Sequence, residues 1–309
     1  MNSPALLAVP IPGLVIYSYS VFALVLAIGL VTIAIHGDWQ KAQGLDKLLL
    51  FGPLFYAAPV AGFGTEHFTL PSVIASIIPS WIPWHPFWVY FVGVCFIAGA
   101  LSLVTRIQAR LAATLLGITF FLFVALMHGP AAVRNSQNRI AMVVAFRELS
   151  FSGGAFALAA TLTAQSLGQA KRLLAGIARY LVAVPVLLFS VEQFLHGDRV
   201  PGVPLEPLTP SYVPGHALWT YFAAVVYAVA GILLLIGKKT RTAATWLGVA
   251  VFFIVFVFYV PIAVVERASL AKGFNYLADT SMFCGAVLLL AGAMPREASS
   301  MVETSQPAE

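Results

Sequence analysis

Charged residues are scarce in this sequence. Asp, Glu, Lys and Arg make up 9% of its 309 residues, whereas an average soluble domain is about a quarter charged. So little charge cannot keep a folded surface in water, and the composition therefore excludes an ordinary soluble protein. The 60% of hydrophobic residues and the mean hydropathy of +0.92 favour an integral membrane protein.

Cysteine is equally scarce. The only two, Cys95 and Cys284, lie far apart within apolar runs, which is typical of free buried thiols and does not indicate disulfide chemistry. The sequence also lacks the alternating strands of an outer-membrane barrel, and it lacks flavin, nicotinamide and iron–sulfur motifs. The isoelectric point near 9.3 comes from basic residues spread over short loops, so we expect no nucleic-acid partner.

Long apolar runs are abundant, and each is near the 20 or so residues that a membrane-spanning helix needs. Together they predict an all-α integral membrane protein with about nine transmembrane helices and the lipid bilayer as its surroundings. The first run has no basic leader, so we interpret it as a retained helix rather than a signal peptide. The nine predicted spans are 14–36, 47–67, 86–105, 110–129, 141–165, 178–196, 216–236, 241–262 and 275–294.

Basic residues are unevenly divided between the two sides that these spans define. The loops near 38–47, 106–110, 167–179 and 237–241 and the C-terminus hold eleven Lys and Arg residues, and the opposite loops hold five. Because cytoplasmic loops carry the excess of Lys and Arg, we predict a multi-pass protein of the plasma or inner membrane, with the C-terminus in the cytoplasm and the N-terminus outside. The five outer residues are Arg134, Arg139, Arg199, Arg267 and Lys272.

The sequence contains an internal duplication. PSWIPWHPFWVYF (79–91) matches PSYVPGHALWTYF (210–222), and RLAATLLG (110–117) matches RTAATWLG (241–248), both at an offset of 131. An even number of helices in each copy predicts two parallel four-helix repeats plus one N-terminal helix. The predicted divisions are 1–40 for that helix, 41–168 and 169–295 for the repeats, and 296–309 for a disordered tail.

Acidic residues stand at matching places in the two copies. Glu66 in FGTEHF and Glu192 in FSVEQF end the first helix of each repeat, and the 131 offset pairs Glu148 with Asp279 in the fourth helix. We expect Glu66 and Glu148 to share a cluster with Arg147 or His67 between them, and Arg147 to pair with Glu66 rather than with its neighbour Glu148. Glu192 and Asp279 should form its counterpart, which without an arginine would be the better site for proton exchange.

Histidines are concentrated at the same predicted outer helix ends, and Pro-rich aromatic loops precede two of them as interfacial or re-entrant caps. Because ionisable groups within a span usually face the bundle interior or a cavity, we predict a polar pocket near the outer face. Its candidate residues are Glu66, His67, His85, His128, Arg147, Glu148, Glu192, His216 and Asp279. Such a pocket would suit a quinone head group, a small substrate or a proton.

Two other interpretations of these residues stay open. The carboxylates can hold the bundle together by pairing across helices, or they can reach the membrane interface without a role. No H-x-x-x-H or E-x-x-H spacing supports a metal site, so we predict no metal.

The same motifs resemble the DoxX/DoxD-like family of four-helix membrane proteins. The resemblance lies in GTEHF with IPSWIPWHPFWVYFVGV and RLAATLLG, and in the second copy VEQF, YVPGHALWTYFAAV and RTAATWLG. It covers both copies, and this tandem double copy departs from the usual single-copy member of the family. Because named relatives are subunits associated with quinol and thiosulfate:quinone oxidoreductases, it implies a quinone-linked redox component that works with a redox partner protein or with the quinone itself. The alternatives are a small-solute transporter and a non-catalytic scaffold or assembly factor.

Overall fold

A computed structural model of the chain describes residues 12–205, 213–265 and 270–297, and within those ranges it contains helices and turns but no β-strand. Two π-helical turns, Val124–His128 and Val255–Tyr259, and one 3-10 turn, Gln165–Leu167, join or precede helices. The α-helices are α1 (Pro12–Ile35), α2 (Asp38–Lys41), α3 (Asp46–Leu49), α4 (Gly52–Thr69), α5 (Pro71–Ile77), α6 (His85–Thr105), α7 (Ala109–Phe123), α8 (Gly129–Arg134), α9 (Arg139–Thr161), α10 (Gly168–Leu195), α11 (His216–Ile236), α12 (Thr240–Ile254), α13 (Val260–Val265) and α14 (Leu270–Ala293).

Nine helical segments of the described chain are long and apolar enough to cross a membrane. This number confirms the prediction of an all-α, multi-pass membrane protein. The main difference concerns α10, which begins at Gly168 rather than near 178. Its first turns carry Lys171 and Arg172, and such long basic side chains allow a helix to start at the membrane interface before it enters the apolar layer.

Helices α9 and α14 occupy the centre of the bundle. They pack against each other. Helix α9 also lies between α7 and α10, and helix α14 also lies between α12 and α4. The outer helices α6 and α11 cover α4 and α10, and α1 packs on the outside of α4. The span of α14 is accordingly 83% buried, whereas that of α1 is 22% buried.

Prolines lie inside two of the spans without ending them. Pro59 lies in α4 and Pro185 in α10, and both are buried. A proline removes one backbone hydrogen bond, but transmembrane helices tolerate it where neighbouring helices surround the freed group. Both helices therefore continue to Glu66 and Glu192, as the sequence predicted.

Small residues and hydroxyl groups bring the central helices close together. A Cβ atom built on Gly154 of α9 would lie 2.4 Å from the Cβ of Ala286 in α14, so the two helices approach closely at this point. The Tyr56 hydroxyl of α4 donates a 2.7 Å hydrogen bond to the carbonyl of Phe151 in α9. In lipid, such close packing and interhelical hydrogen bonds replace the hydrophobic effect as the source of helix association.

Several sequence predictions concern residues that lie outside the described ranges. These are the disordered tail from position 298 onward, the outer residue Arg267 and positions 206–212 of the second Pro-rich loop. The first Pro-rich loop is described, and the short helix α5, which has no buried residue, precedes it.

Gly285 and Gly292 of α14 provide a matched test of the central packing. A Cβ on Gly285 would lie 2.5 Å from the backbone nitrogen of Tyr56, whereas a Cβ on Gly292 would meet nothing within 4 Å. We expect Gly285→Ala to lower the free energy of unfolding by roughly 1–3 kcal/mol through overpacking, and Gly292→Ala to leave it within about 0.5 kcal/mol. Thermal unfolding in detergent measures both, and equal stability of the two variants would contradict the described contact of α4 and α14.

Candidate functional site

A buried group of charged side chains joins the two central helices. One Nη atom of Arg147 donates a 2.9 Å hydrogen bond to Glu148 Oε1, and the other donates to Asp279 Oδ2 across the α9–α14 contact. Glu66, near the end of α4, lies within electrostatic reach of Asp279 and within hydrogen-bonding reach of Asn275. We call Glu66, Arg147, Glu148 and Asp279 the acidic cluster.

The acidic cluster lies well inside the bundle. Arg147 is eight residues into α9 and Asp279 is nine residues into α14, which places both about 12–13 Å from the helix starts along the axes. The Asp279 side chain is 4% exposed and that of Arg147 is 15% exposed. Ions this deep require partners, and the Arg147–Asp279 pair provides one for each central helix.

Four buried atoms of the acidic cluster have no hydrogen-bond partner in the part of the chain that the structure describes. They are Glu66 Oε1, Arg147 Nε, Glu148 Oε2 and Asp279 Oδ1. A buried polar atom without a partner loses its hydration and gains nothing in return, so most such atoms in proteins are paired. The cluster can therefore accept further hydrogen bonds on three carboxyl groups.

A second charged group lies nearer to the helix ends. Arg139, the first residue of α9, forms a 2.8 Å ion pair with Glu192 Oε2 of α10. The same guanidinium donates to the carbonyls of Pro204, at 2.5 Å, and Leu205. Arg139 thus connects the start of α9, the end of α10 and the segment that follows α10.

Residues 201–205 of that segment are buried along their whole length, and we call them the PGVPL plug. Besides the bonds from Arg139, it accepts weaker hydrogen bonds at 3.4 Å from the Gln193 amide to Gly202 and from the Tyr259 hydroxyl to Val203. Gly202 has a φ of +116°, which only glycine adopts without strain. The plug fills the end of the bundle at which α9 begins, beside α10 and α14.

The structure separates most of the histidines from the acidic cluster. His128, in the first π-helical turn, lies within electrostatic reach of Glu148 and Arg147. His67 is buried, but its Nδ1 bonds the carbonyl of its own helix at Phe63 over 2.8 Å. His85 lies 3.2 Å from the Pro79 carbonyl, and His216 is exposed at the start of α11.

The expected pairing of the acids differs from the observed one. Arg147 pairs with Asp279 and Glu148 rather than with Glu66, and Glu192 pairs with Arg139 rather than sharing a site with Asp279. The reason is that α14 packs against α9 and α4, so the acid from the second half meets the arginine of the first half. The expectation of two separate clusters, with the arginine-free one in the second half, is therefore wrong.

Sequence reasoning missed the role of two residues. Arg139 was counted only as a loop residue, although an arginine at the start of a buried helix in a chain with so few charges indicates a buried partner. Asn275, one helical turn before Asp279, gave no signal of its own. Asn275 comes within hydrogen-bonding reach of Glu66 because α4 packs on α14, and the sequence pattern does not specify that packing.

Two pockets are described, and none of the nine candidate residues lines either of them. One of the two pockets lies between the first Pro-rich loop and α8. Its lining residues include Pro79, Trp81 and Arg134. Within the described ranges, no three His, Cys, Asp or Glu side chains come together as metal ligands.

Comparison with known proteins adds no assignment. No family model, no curated protein and no solved structure matches the chain.

Arg139 gives a test of how the plug is held. In a Cys95→Ser background, a cysteine in place of the buried Val203 should react slowly with a maleimide, because Val203 is 1% exposed. Hydrogen bonds to charged groups contribute roughly 1.5–3 kcal/mol each, so Arg139→Gln should raise the labelling rate at least about tenfold.

Arg134→Gln is the matched control for this experiment, because Arg134 is exposed and lies just before the start of α9. It should leave the labelling rate unchanged. Equal rates in the Arg139 and Arg134 variants would show that Arg139 does not anchor the plug.

Proposed function

We propose that this protein is a membrane component that accepts and releases protons at the acidic cluster, and that a quinone-linked redox reaction uses these protons. The observation that carries the proposal is the buried set of three carboxyl groups around one arginine. With all four groups ionised, the cluster would hold three negative charges and one positive charge, a net charge of −2, in a nearly water-free place. A bound proton removes part of that charge and gives a carboxyl group a hydrogen to donate.

Glu66 is the carboxyl group that we assign to proton exchange. Arg147 already bonds both Glu148 and Asp279, whereas Glu66 forms no ion pair with any described residue and has an unpartnered Oε1. Glu66 also lies three residues from the end of α4, closer to the predicted outer surface than Asp279 is. Its counterpart Glu192 is neutralised by Arg139 and is therefore not available for this role.

The repeat arrangement belongs to the same proposal, and the central region of each half supports it. α6 and α11 start at residues 131 apart, and the two π-helical turns lie 131 apart as well. Positive φ angles recur at this offset too, at Trp84 and Gly215 and at Gln108 and Lys239. Such unusual backbone angles do not recur at a fixed spacing by composition alone.

The fourth helices of the two proposed repeats, α9 and α14, support an offset of 132 rather than 131 residues. A Cβ on Gly153 would meet Ala178, Leu181 and Val182 of α10, and a Cβ on Gly285 would meet Phe55 and Tyr56 of α4. Gly153 and Gly285 are 132 residues apart, so Arg147 rather than Glu148 is the counterpart of Asp279. We therefore propose parallel repeats in which an arginine and an aspartate occupy equivalent positions and pair with each other.

The quinone is the part of the proposal that rests on the resemblance to DoxX/DoxD-like proteins. Reduction of a quinone to a quinol takes two electrons and two protons. The acidic cluster would supply or accept the protons from the predicted outer face, and a partner protein would have to supply the electrons. The cytoplasmic C-terminus and outer N-terminus, as proposed from the basic loops, place the cluster toward the outside of the cell membrane.

A transporter of a small solute is the second candidate. The observation that favours it is the position of the acidic cluster between the two central helices, because parallel-repeat transporters bind substrates and coupling ions between their halves. Glu66, the carboxyl group assigned to proton exchange, lies nearer to one face than the usual midplane site, which favours the redox role.

Infrared difference spectroscopy tests the proton proposal. Purified protein should show a pH-dependent carbonyl band of a protonated carboxylic acid, and Glu66→Gln should remove it. Asp198→Asn is the control, because the Asp198 side chain is 62% exposed and does not belong to the cluster. Absence of the band, or its persistence in Glu66→Gln, would contradict the proposal and favour a scaffold.

The quinone is tested with the same sample. Extraction should recover a quinone that copurifies with the protein, and a change from quinone to quinol should shift the Glu66 band. A band that responds to pH but not to the quinone would favour the transporter.

A further inference from the structure

A cleft of about 490 Å³ opens at the end of the bundle opposite to the acidic cluster. It lies where α1, α4, α6, α7 and α9 meet. Its floor is apolar, with the buried residues Ile33, Leu54, Leu103 and Leu158. Its rim is basic, with Arg106 and Arg110. The cleft is independent of the proposed function, because none of its residues belongs to the acidic cluster.

The two rim arginines differ in their present contacts. Arg106 pairs with Asp38, but its side chain remains 45% exposed. The Arg110 side chain is exposed and forms no ion pair or hydrogen bond with a described residue. Helix α7 starts between them at Ala109 without a side-chain cap, so its first backbone N–H groups are also free to bind an anion.

The second half of the chain shows what Arg110 lacks. Its counterpart there, Arg241, donates to the carbonyl of Ala291, to that of Met294 and to the carboxylate of Asp46. Those bonds tie the start of α12 to the end of α14. The Arg110 side chain forms no comparable bonds with described residues, and the cleft opens beside it.

We propose that the cleft binds one anionic phospholipid, with its phosphate between Arg106 and Arg110 and an acyl chain along the apolar floor. The combination of a basic rim and a hydrophobic floor matches an amphiphile, whereas free phosphate would leave the floor uncovered. The cleft also lies on the side of the molecule that holds most of the basic residues, where anionic lipid head groups are attracted. The lipid seals α1 to the rest of the bundle.

Lipid titration of delipidated protein in a neutral detergent, followed by native mass spectrometry, tests this site. One phosphatidylglycerol should bind in preference to phosphatidylcholine. The double variant Arg106→Gly with Arg110→Gln should weaken phosphatidylglycerol binding by about thirtyfold. Arg106 has a φ of +64°, so glycine removes the charge and relieves backbone strain at the same time.

Two further variants keep the test decisive. Lys238→Gln removes an exposed basic residue on the same side but outside the cleft, and it should leave phosphatidylglycerol binding unchanged. Thr32→Trp fills the cleft beside Ile33 and should abolish the preference for phosphatidylglycerol while both arginines remain.

Inorganic phosphate distinguishes the two sources of the same chemistry. It should not compete with phosphatidylglycerol, because it cannot use the apolar floor. Undiminished phosphatidylglycerol binding by the double variant or by Thr32→Trp would overturn the proposal. Saturation of the site by phosphate alone would identify a phosphate site instead of a lipid site and would overturn it as well.

Discussion

The ion pair between Arg147 and Asp279 is the interaction on which the rest of the bundle depends. It connects the two most central helices, α9 and α14, at a depth where water cannot compensate an isolated charge. Each partner is costly to bury alone, so the pair favours the arrangement in which these helices face each other. Once they do, Gly154 must lie against Ala286, and α4 and α10 must close on α14 and α9 from opposite sides.

Arginine placement then makes the two sides of the bundle unequal. Glu192 is held by Arg139, which also fixes the PGVPL plug, so direct bonds close that side of the bundle end. Glu66 occupies the corresponding place on α4, and among the described residues no cation pairs with it. The same fold therefore presents one carboxylate that is locked in a structural contact and one that is open to further chemistry. This difference is the physical basis for assigning proton exchange to Glu66.

Sequence reasoning predicted those features that depend on local pattern. Long apolar runs gave nine spans, and Glu66 and Glu192 lie near the ends of α4 and α10, as the sequence indicated. The pairing itself was not predictable, because it depends on which helix packs against which. Under the proposed repeat, a shift of one residue in the fourth helix is invisible in an Ala- and Leu-rich alignment, yet it decides whether Asp279 corresponds to Glu148 or to Arg147. The basic cleft was missed for the same reason, since α1 and α9 meet there only in the folded chain.

A double-mutant cycle on Arg147 and Asp279, measured as thermal stability in detergent, tests the central claim most directly. Removal of one partner from a buried pair typically costs roughly 3–5 kcal/mol, whereas replacement of both by apolar residues of similar size is often neutral. Arg147 also bonds Glu148, so the cycle is measured in a Glu148→Gln background, where Asp279 is the carboxylate that pairs with Arg147. In that background Arg147→Met and Asp279→Leu should each destabilise the protein strongly, and the variant with both should be more stable than the variant with either one. If the two losses simply add in the double variant, the pair does not hold α9 and α14 together and this account of the bundle is wrong.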